Sequence, residues 1–108
     1  MNIGIRNQNN VAVADIAGDI KGADSTRFMK SLEELIKSRP QKIGLNFGQV
    51  TFVDSSGLGA LVSVKNMADK AGLGLSIFNI SEDIKDLFHM TQLNMMIKIH
   101  SSEAEALN

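Results

Sequence analysis

The sequence contains no cysteine, no tryptophan, no tyrosine and a single proline. Without cysteine, disulfides, thiolate metal sites and thiol catalysis are excluded. Five phenylalanines are the whole aromatic complement, too few for the stacking platforms that hold single-stranded nucleic acid. Charge of one sign is missing as well. Eleven basic and 12 acidic residues are mixed along the 108-residue chain and leave a formal net charge of −1. A phosphate backbone calls for a basic face, so nucleic acid is not an expected partner. No apolar run approaches the length that spans a bilayer, and the opening MNIGIRNQNN lacks a charged-then-apolar leader. The expectation is a cytoplasmic protein with no membrane partner, no metal and no cofactor.

What is present is the composition of an ordinary globular protein, 44% hydrophobic and 21% charged. The length suits one domain over residues 1–108. Ile3 and Ile5 alternate with polar neighbours, NQNN (Asn7–Asn10) reads as a turn, and Val11 and Val13 resume a second strand. Together they predict an N-terminal hairpin. GDIKGADS is a loop punctuated by Gly18 and Gly22. Asp24 or Ser25 is expected to cap the helix that carries Phe28, Met29, Leu32, Leu35 and Ile36 at helical spacing. Pro40 marks its end.

Ile43, Leu45 and Phe47 alternate as a third strand, and Val50-Thr51-Phe52-Val53 continues apolar with a β-branched bias. Leu58, Leu61, Val62, Val64, Met67, Ala68 and Ala71 then follow helical spacing, and Gly72 suits the left-handed position after a helix end. Leu73, Leu75, Ile77 and Ile80 predict a fourth strand. A short helix capped by Ser81 carries Ile84, Leu87 and Phe88. Met96-Ile97-Lys98-Ile99 predicts a last strand, and SSEAEALN a short capped helix. The alternation implies an α/β fold: a mixed, mostly parallel sheet of about five strands, with about four helices packed against it. Loops leaving the carboxyl ends of parallel strands are the natural place for a site. Asp54-Ser55-Ser56 occupies such a loop.

Four chemistries compete for that loop. A nucleophile elbow needs Gly-x-Ser-x-Gly, which neither serine satisfies, and the only imidazoles, His89 and His100, show no triad spacing. GLGALV supplies two glycines of the dinucleotide fingerprint after a strand, but Val62 stands at the third, and no Gly-Lys-Ser/Thr occurs. A serine can cap the helix, with Gly57 and Gly59 permitting close packing on the strand. A serine hydroxyl at a helix start is also open to a kinase, and a phosphate adds about −1.5 to −2 charges. The helix N-terminus attracts that charge while Asp54 opposes it, so modification is expected to leave the fold intact and to act on a bound partner. The residues by themselves leave capping and modification both open.

The stretch LNFGQVTFVDSSGLGALV closely resembles the signature of the STAS family, in particular its anti-sigma-factor antagonists. Gly18-Asp19-Ile20, LFHMTQL and the closing SSEAEAL extend the resemblance over nearly the whole chain. It implies a non-enzymatic binding protein under reversible serine phosphorylation. The modified serine follows the aspartate directly, which here is Ser55. The implied partners are an anti-sigma factor with serine kinase activity, released on phosphorylation, and a metal-dependent serine phosphatase that restores binding. The implied partner face comprises Asp19, Lys21 and Asp24 before the first helix, and Asp54, Ser55, Ser56, Gly57 and Leu58 at the start of the second. Ser56 is then the expected cap. Asp54 is read as orienting the loop or touching the kinase, against a solvated turn. Leu58 belongs to the core or the interface, and its place in the apolar stripe favours the core. Two departures stand out: Lys21, where the family usually has aspartate, and Gln92, where glycine is usual. The alternatives are a STAS subunit of another assembly, such as lipid transport or stress signalling, and a small nucleotide-binding module.

Overall fold

The computed structural model describes residues 1–8 and 10–108. The chain runs β1 (Asn2–Gln8), β2 (Val11–Ala17), α1 (Ala23–Lys37), β3 (Lys42–Gln49), α2 (Ser55–Lys70), β4 (Gly74–Phe78), α3 (Glu82–Met90), a 3-10 turn (Leu93–Met95), β5 (Lys98–His100) and α4 (Glu103–Leu107). The sheet order is β1-β2-β3-β4-β5. β1 is antiparallel to β2 and every later pair is parallel. The expected architecture is therefore present. The turn predicted over Asn7–Asn10 includes Asn9, outside the described residues; Asn7 and Gln8 belong to β1.

Alternation along the strands divides the side chains between two faces. Ala12, Ala14 and Ile16 of β2, Ile43, Leu45 and Phe47 of β3, and Leu75 and Ile77 of β4 join the main core with Phe28, Leu32, Leu61, Val64, Ile84 and Phe88 of the helices. Phe47 and Phe88 meet tilted, with ring centroids 6.2 Å apart, a favourable geometry for aromatic quadrupoles. Val13 and Phe78 point the other way and are covered by Ala106 and Leu107 of α4. Gly44 admits this second layer, because a Cβ there would stand 3.1 Å from the Phe78 ring and 3.7 Å from Leu107.

The helix ends show how local sequence stops each element. Gly72 adopts φ +73° after α2, with its N–H on Asp69 O at 3.0 Å and the Leu73 N–H on Ala68 O at 2.9 Å. That pair of bonds satisfies carbonyls the helix leaves free, and buried Leu73 adds the apolar contact. Ser81 caps α3 through the Ile84 amide, and Ser102 caps α4 through the Glu105 amide, as expected. Gln92 takes the left-handed conformation (φ 61°, ψ 18°) after α3. The loop thus keeps the backbone that glycine would favour, at a conformational cost of order 1 kcal/mol. Neither Asp24 nor Ser25 caps α1. Both lie inside its first turn, and Gly22 occupies the cap position at φ 54° with no side-chain cap. The helix begins one turn's edge earlier than the polar residues suggested, because Gly22 supplies the sharp entry that a side chain would resist. No described helix is long and apolar enough to cross a membrane.

Candidate functional site

The third strand ends at Gln49, so Val50–Val53 does not extend it. Val50 folds back, donating its N–H to Phe47 O at 3.0 Å, and the chain crosses to the loop between β2 and α1. There Ile20 N–H donates to Phe52 O at 2.9 Å, Asp54 N–H donates to Ile20 O at 3.2 Å, and Ile20 and Val53 form an isolated parallel bridge. Val50 and Val53 turn inward while Thr51 and Phe52 turn out. The β-branched run is real, but it serves a loop-to-loop pairing instead of the sheet, and its side chains do not alternate.

Asp54 organises the junction. It is the N-cap of α2, with extended backbone (φ −90°, ψ −175°). Its Oδ1 accepts from the Gly57 N–H at 2.9 Å, and its Oδ2 accepts from the Gly22 N–H at 3.1 Å. One carboxylate thus satisfies an orphan amide of α2 and ties the same helix start to the start of α1. The expected cap, Ser56, is corrected by this geometry: both serines lie inside the first helical turn, and the aspartate one step earlier takes the capping role. The solvated-turn reading of Asp54 fails for the same reason.

Gly57 is fixed by space. A Cβ there would overlap the Ile20 carbonyl oxygen and stand 2.7 Å from Val53 Cγ1. Gly59, expected to serve the same packing, is exposed with nothing near its Cβ position, and that expectation is corrected. The next helical position on the packed side after Gly57 is Ala60, which is buried, and Gly59 is turned to solvent.

The residues proposed from sequence for the partner face fall into one neighbourhood. Asp19 accepts from Thr51 Oγ1 at 2.6 Å and lies 3.6 Å from Lys21 Nζ. The threonine hydroxyl, then the lysine charge, hold the Asp19 carboxyl below the usual carboxylate range. Lys21 is therefore not a bare positive charge on this surface. Asp24 pairs with Arg27 at 3.0 Å, an i,i+3 contact of the first helical turns. Ser55 and Ser56 are exposed. Leu58 is half-buried and packs against the main core, in keeping with its place in the apolar stripe.

A cleft of about 190 Å³ separates the starts of α1 and α2, lined by Gly22, Ser25, Thr26, Met29, Ser56 and Ala60, with Ser63 at its end. Ser25 is 4% exposed and its hydroxyl lacks a hydrogen-bond partner among the described residues. Two features of this surface were missed in the sequence. Phe52 is 49% exposed beside the Asp19–Thr51 pair, and Thr26 with Met29 borders the cleft. Strand alternation would set Phe52 on the same side as Val50, so the VTFV order did not signal its exposure.

Comparison with known proteins places this geometry in context. The STAS domain family model matches residues 2–106. The anti-sigma-B factor antagonist of Bacillus subtilis (strain 168) is 31% identical over 102 residues, covering 92% of this chain and 92% of that protein. Among solved structures, an anti-sigma factor antagonist from Mycobacterium paratuberculosis superposes with a TM-score of 0.84 at 17% identity, covering 98% and 90% of the two chains. The Bacillus cell fate determinant SpoIIAA, solved in its phosphorylated form, gives a TM-score of 0.73 at 18% identity over 98% and 96%.

Proposed function

The chain belongs to the STAS domain family, and on that premise we propose that it is an anti-sigma-factor antagonist whose binding is switched by phosphorylation of Ser55. The observation that carries the reading is the division of labour in Asp54-Ser55-Ser56. Asp54 is committed to two backbone amides, and Ser55 follows it exposed, outside the capping role. The relatives named as antagonists and the phosphorylated form of one structural neighbour support the same reading.

The mechanism follows from charge and place. A phosphate on Ser55 brings about −1.5 to −2 charges to the helix start capped by Asp54, on the proposed partner face that also includes Asp19 and Asp24. Asp54 already satisfies the capping amide of Gly57, so the phosphate finds that amide taken and stays at the surface. The fold persists. A partner covering the loop must then desolvate an unpaired dianion, and a penalty of ~3 kcal/mol weakens binding more than a hundredfold. Unmodified, the face from Asp19 to Asp24 with Ser55 to Leu58 is the docking surface, and exposed Phe52 and the cleft beside Ser56 add apolar purchase. The partner is an anti-sigma factor that is itself a serine kinase, and a metal-dependent serine phosphatase reverses the modification. The chain itself acts as a binding protein and performs no catalysis. Gly57 has a full account in the approach of α2 to Ile20 and needs no bound nucleotide to explain it.

The test is incubation with serine kinases of the source cell, mass spectrometry, and binding to the captured anti-sigma factor. Phosphate is expected on Ser55, with binding lost in Ser55→Asp and kept in Ser55→Ala. An Asp variant that binds as tightly as the native protein overturns the switch.

A further inference from the structure

A second cleft lies away from the serine loop, at the carboxyl ends of β4 and β5. It has a volume of about 430 Å³, within the usual range of small-molecule sites. Ile80 and Ile99 supply its apolar lining, and Lys85 and His89 of α3, His100 of β5 and Asn94 bring nitrogen groups to it; Glu82 is the carboxylate on its wall and Ser101 closes the ring. The two imidazoles that the sequence left without a role, 11 positions apart, thus line one space.

The polar groups have defined preferences. Lys85 makes no ion pair among the described residues. The Asn94 side-chain amide donates to His89 Nδ1 at 3.1 Å, which leaves the neutral ring's proton on Nε2 and makes that nitrogen a donor. The Ser101 hydroxyl is directed to Glu105, with its Oγ 3.3 Å from Oε2. Lys85 is the cation of the cleft and Glu82 its carboxylate, so a ligand's negative charge is favoured at the lysine and disfavoured at the glutamate.

We propose that this cleft binds a small organic carboxylate with an apolar body, its acid group at Lys85 and His89 and its body on Ile80 and Ile99. The site is separate from the phosphorylation loop and does not depend on it. The probe is sodium benzoate, titrated into the full-length protein while the ring resonances of His89 and His100 are followed by NMR. Saturable shifts with a midpoint on the order of 1 mM are expected for a ligand of this size. Lys85→Met should weaken binding about fivefold and Glu82→Gln should tighten it about twofold, opposite signs that a merely structural role for either residue would not produce. Benzylamine, the same body with a cation, should bind less tightly than benzoate. The proposal is overturned by an unsaturated titration, by the two substitutions moving affinity in one direction, or by benzylamine matching benzoate.

Discussion

The two faces of the sheet are held by different physics. The face carrying α1, α2 and α3 is closed by aliphatic and phenyl side chains, with Phe28, Leu32, Leu45, Phe47, Leu61 and Phe88 all fully buried. The opposite face has one short helix and a small apolar cluster of Val13, Phe78 and Ala106. Beside that cluster runs a polar network. Arg6 donates from Nε to Asp15 Oδ2 at 2.6 Å and from one terminal nitrogen, Nη2, to Asp15 Oδ1 (2.9 Å) and Glu103 Oε1 (2.7 Å). Asn46 donates to Asp15 Oδ1 at 2.8 Å and accepts from the Gly48 N–H and from Asn79. Burial of apolar area is indifferent to pH and is not screened by salt, whereas a half-exposed ion network answers to both. The same sheet therefore has one face that sets stability and another that sets its dependence on conditions.

The largest expected effect breaks the first face. Phe47→Ala removes a ring from the centre of the helix-covered core and should cost about 3–5 kcal/mol in a denaturant titration. Phe78→Ala should cost about 2–3 kcal/mol, because α4 is short and terminal and can settle into the space. Equal losses would mean that the second face is as rigid as the first.

Asp54 is the polar exception on the helix side, and its removal comes next. Asp54→Ala leaves the Gly57 and Gly22 amides without their acceptor and should cost about 2 kcal/mol. Ser56→Ala should stay within about 0.5 kcal/mol, since Ser56 is not the cap. If thermal unfolding ranks the pair the other way, the capping assignment is wrong.

The smallest effect sharpens the second face. The Arg6 guanidinium, through its hydrogen bonds, holds the Asp15 carboxyl below the usual carboxylate range. An unfolded Asp15 takes up its proton at higher pH than the folded one. Its stabilisation is therefore complete above the unfolded carboxylate range and is lost as pH falls through the lowered folded value. Arg6→Met should cost about 1 kcal/mol at neutral pH, because the pair is part-exposed. It should also flatten the fall in stability below about pH 4, measured by urea midpoints across the acid limb.

Strand and helix identities were legible because the apolar periods are clean: Ile43, Leu45 and Phe47 alternate, and Phe28, Leu32, Leu35 and Ile36 follow a helix. The site's neighbourhood was legible too, since a loop at a parallel strand's carboxyl end has few other places to be. Caps were less so. In Asp54-Ser55-Ser56 all three side chains suit the position, and the choice is made by a distant amide, Gly22, that local sequence does not reveal. At α1 the polar pair Asp24 and Ser25 looked like a cap, yet the entry depends on the backbone of Gly22. Val50–Val53 carried strand-like residues, and its true partner was the Ile20 loop. The misses at α2 and at Val50–Val53 concern contacts between segments far apart in the chain, and the one at α1 turns on the backbone conformation of a single glycine.

The double acceptance by Asp54 sets the chemical terms on which any enzyme could reach the proposed site at Ser55. The two amides use different oxygens of Asp54, so asparagine in the same pose would turn its NH2 group toward one of them, and serine or threonine has only one side-chain oxygen to offer. Aspartate is the side chain of this length with an acceptor oxygen on each side. A kinase acting on Ser55 must accommodate an acid immediately ahead of its target, with the hydroxyl presented from a rigid helical turn. Short extended peptides copied from this segment should make poor mimics of the folded substrate.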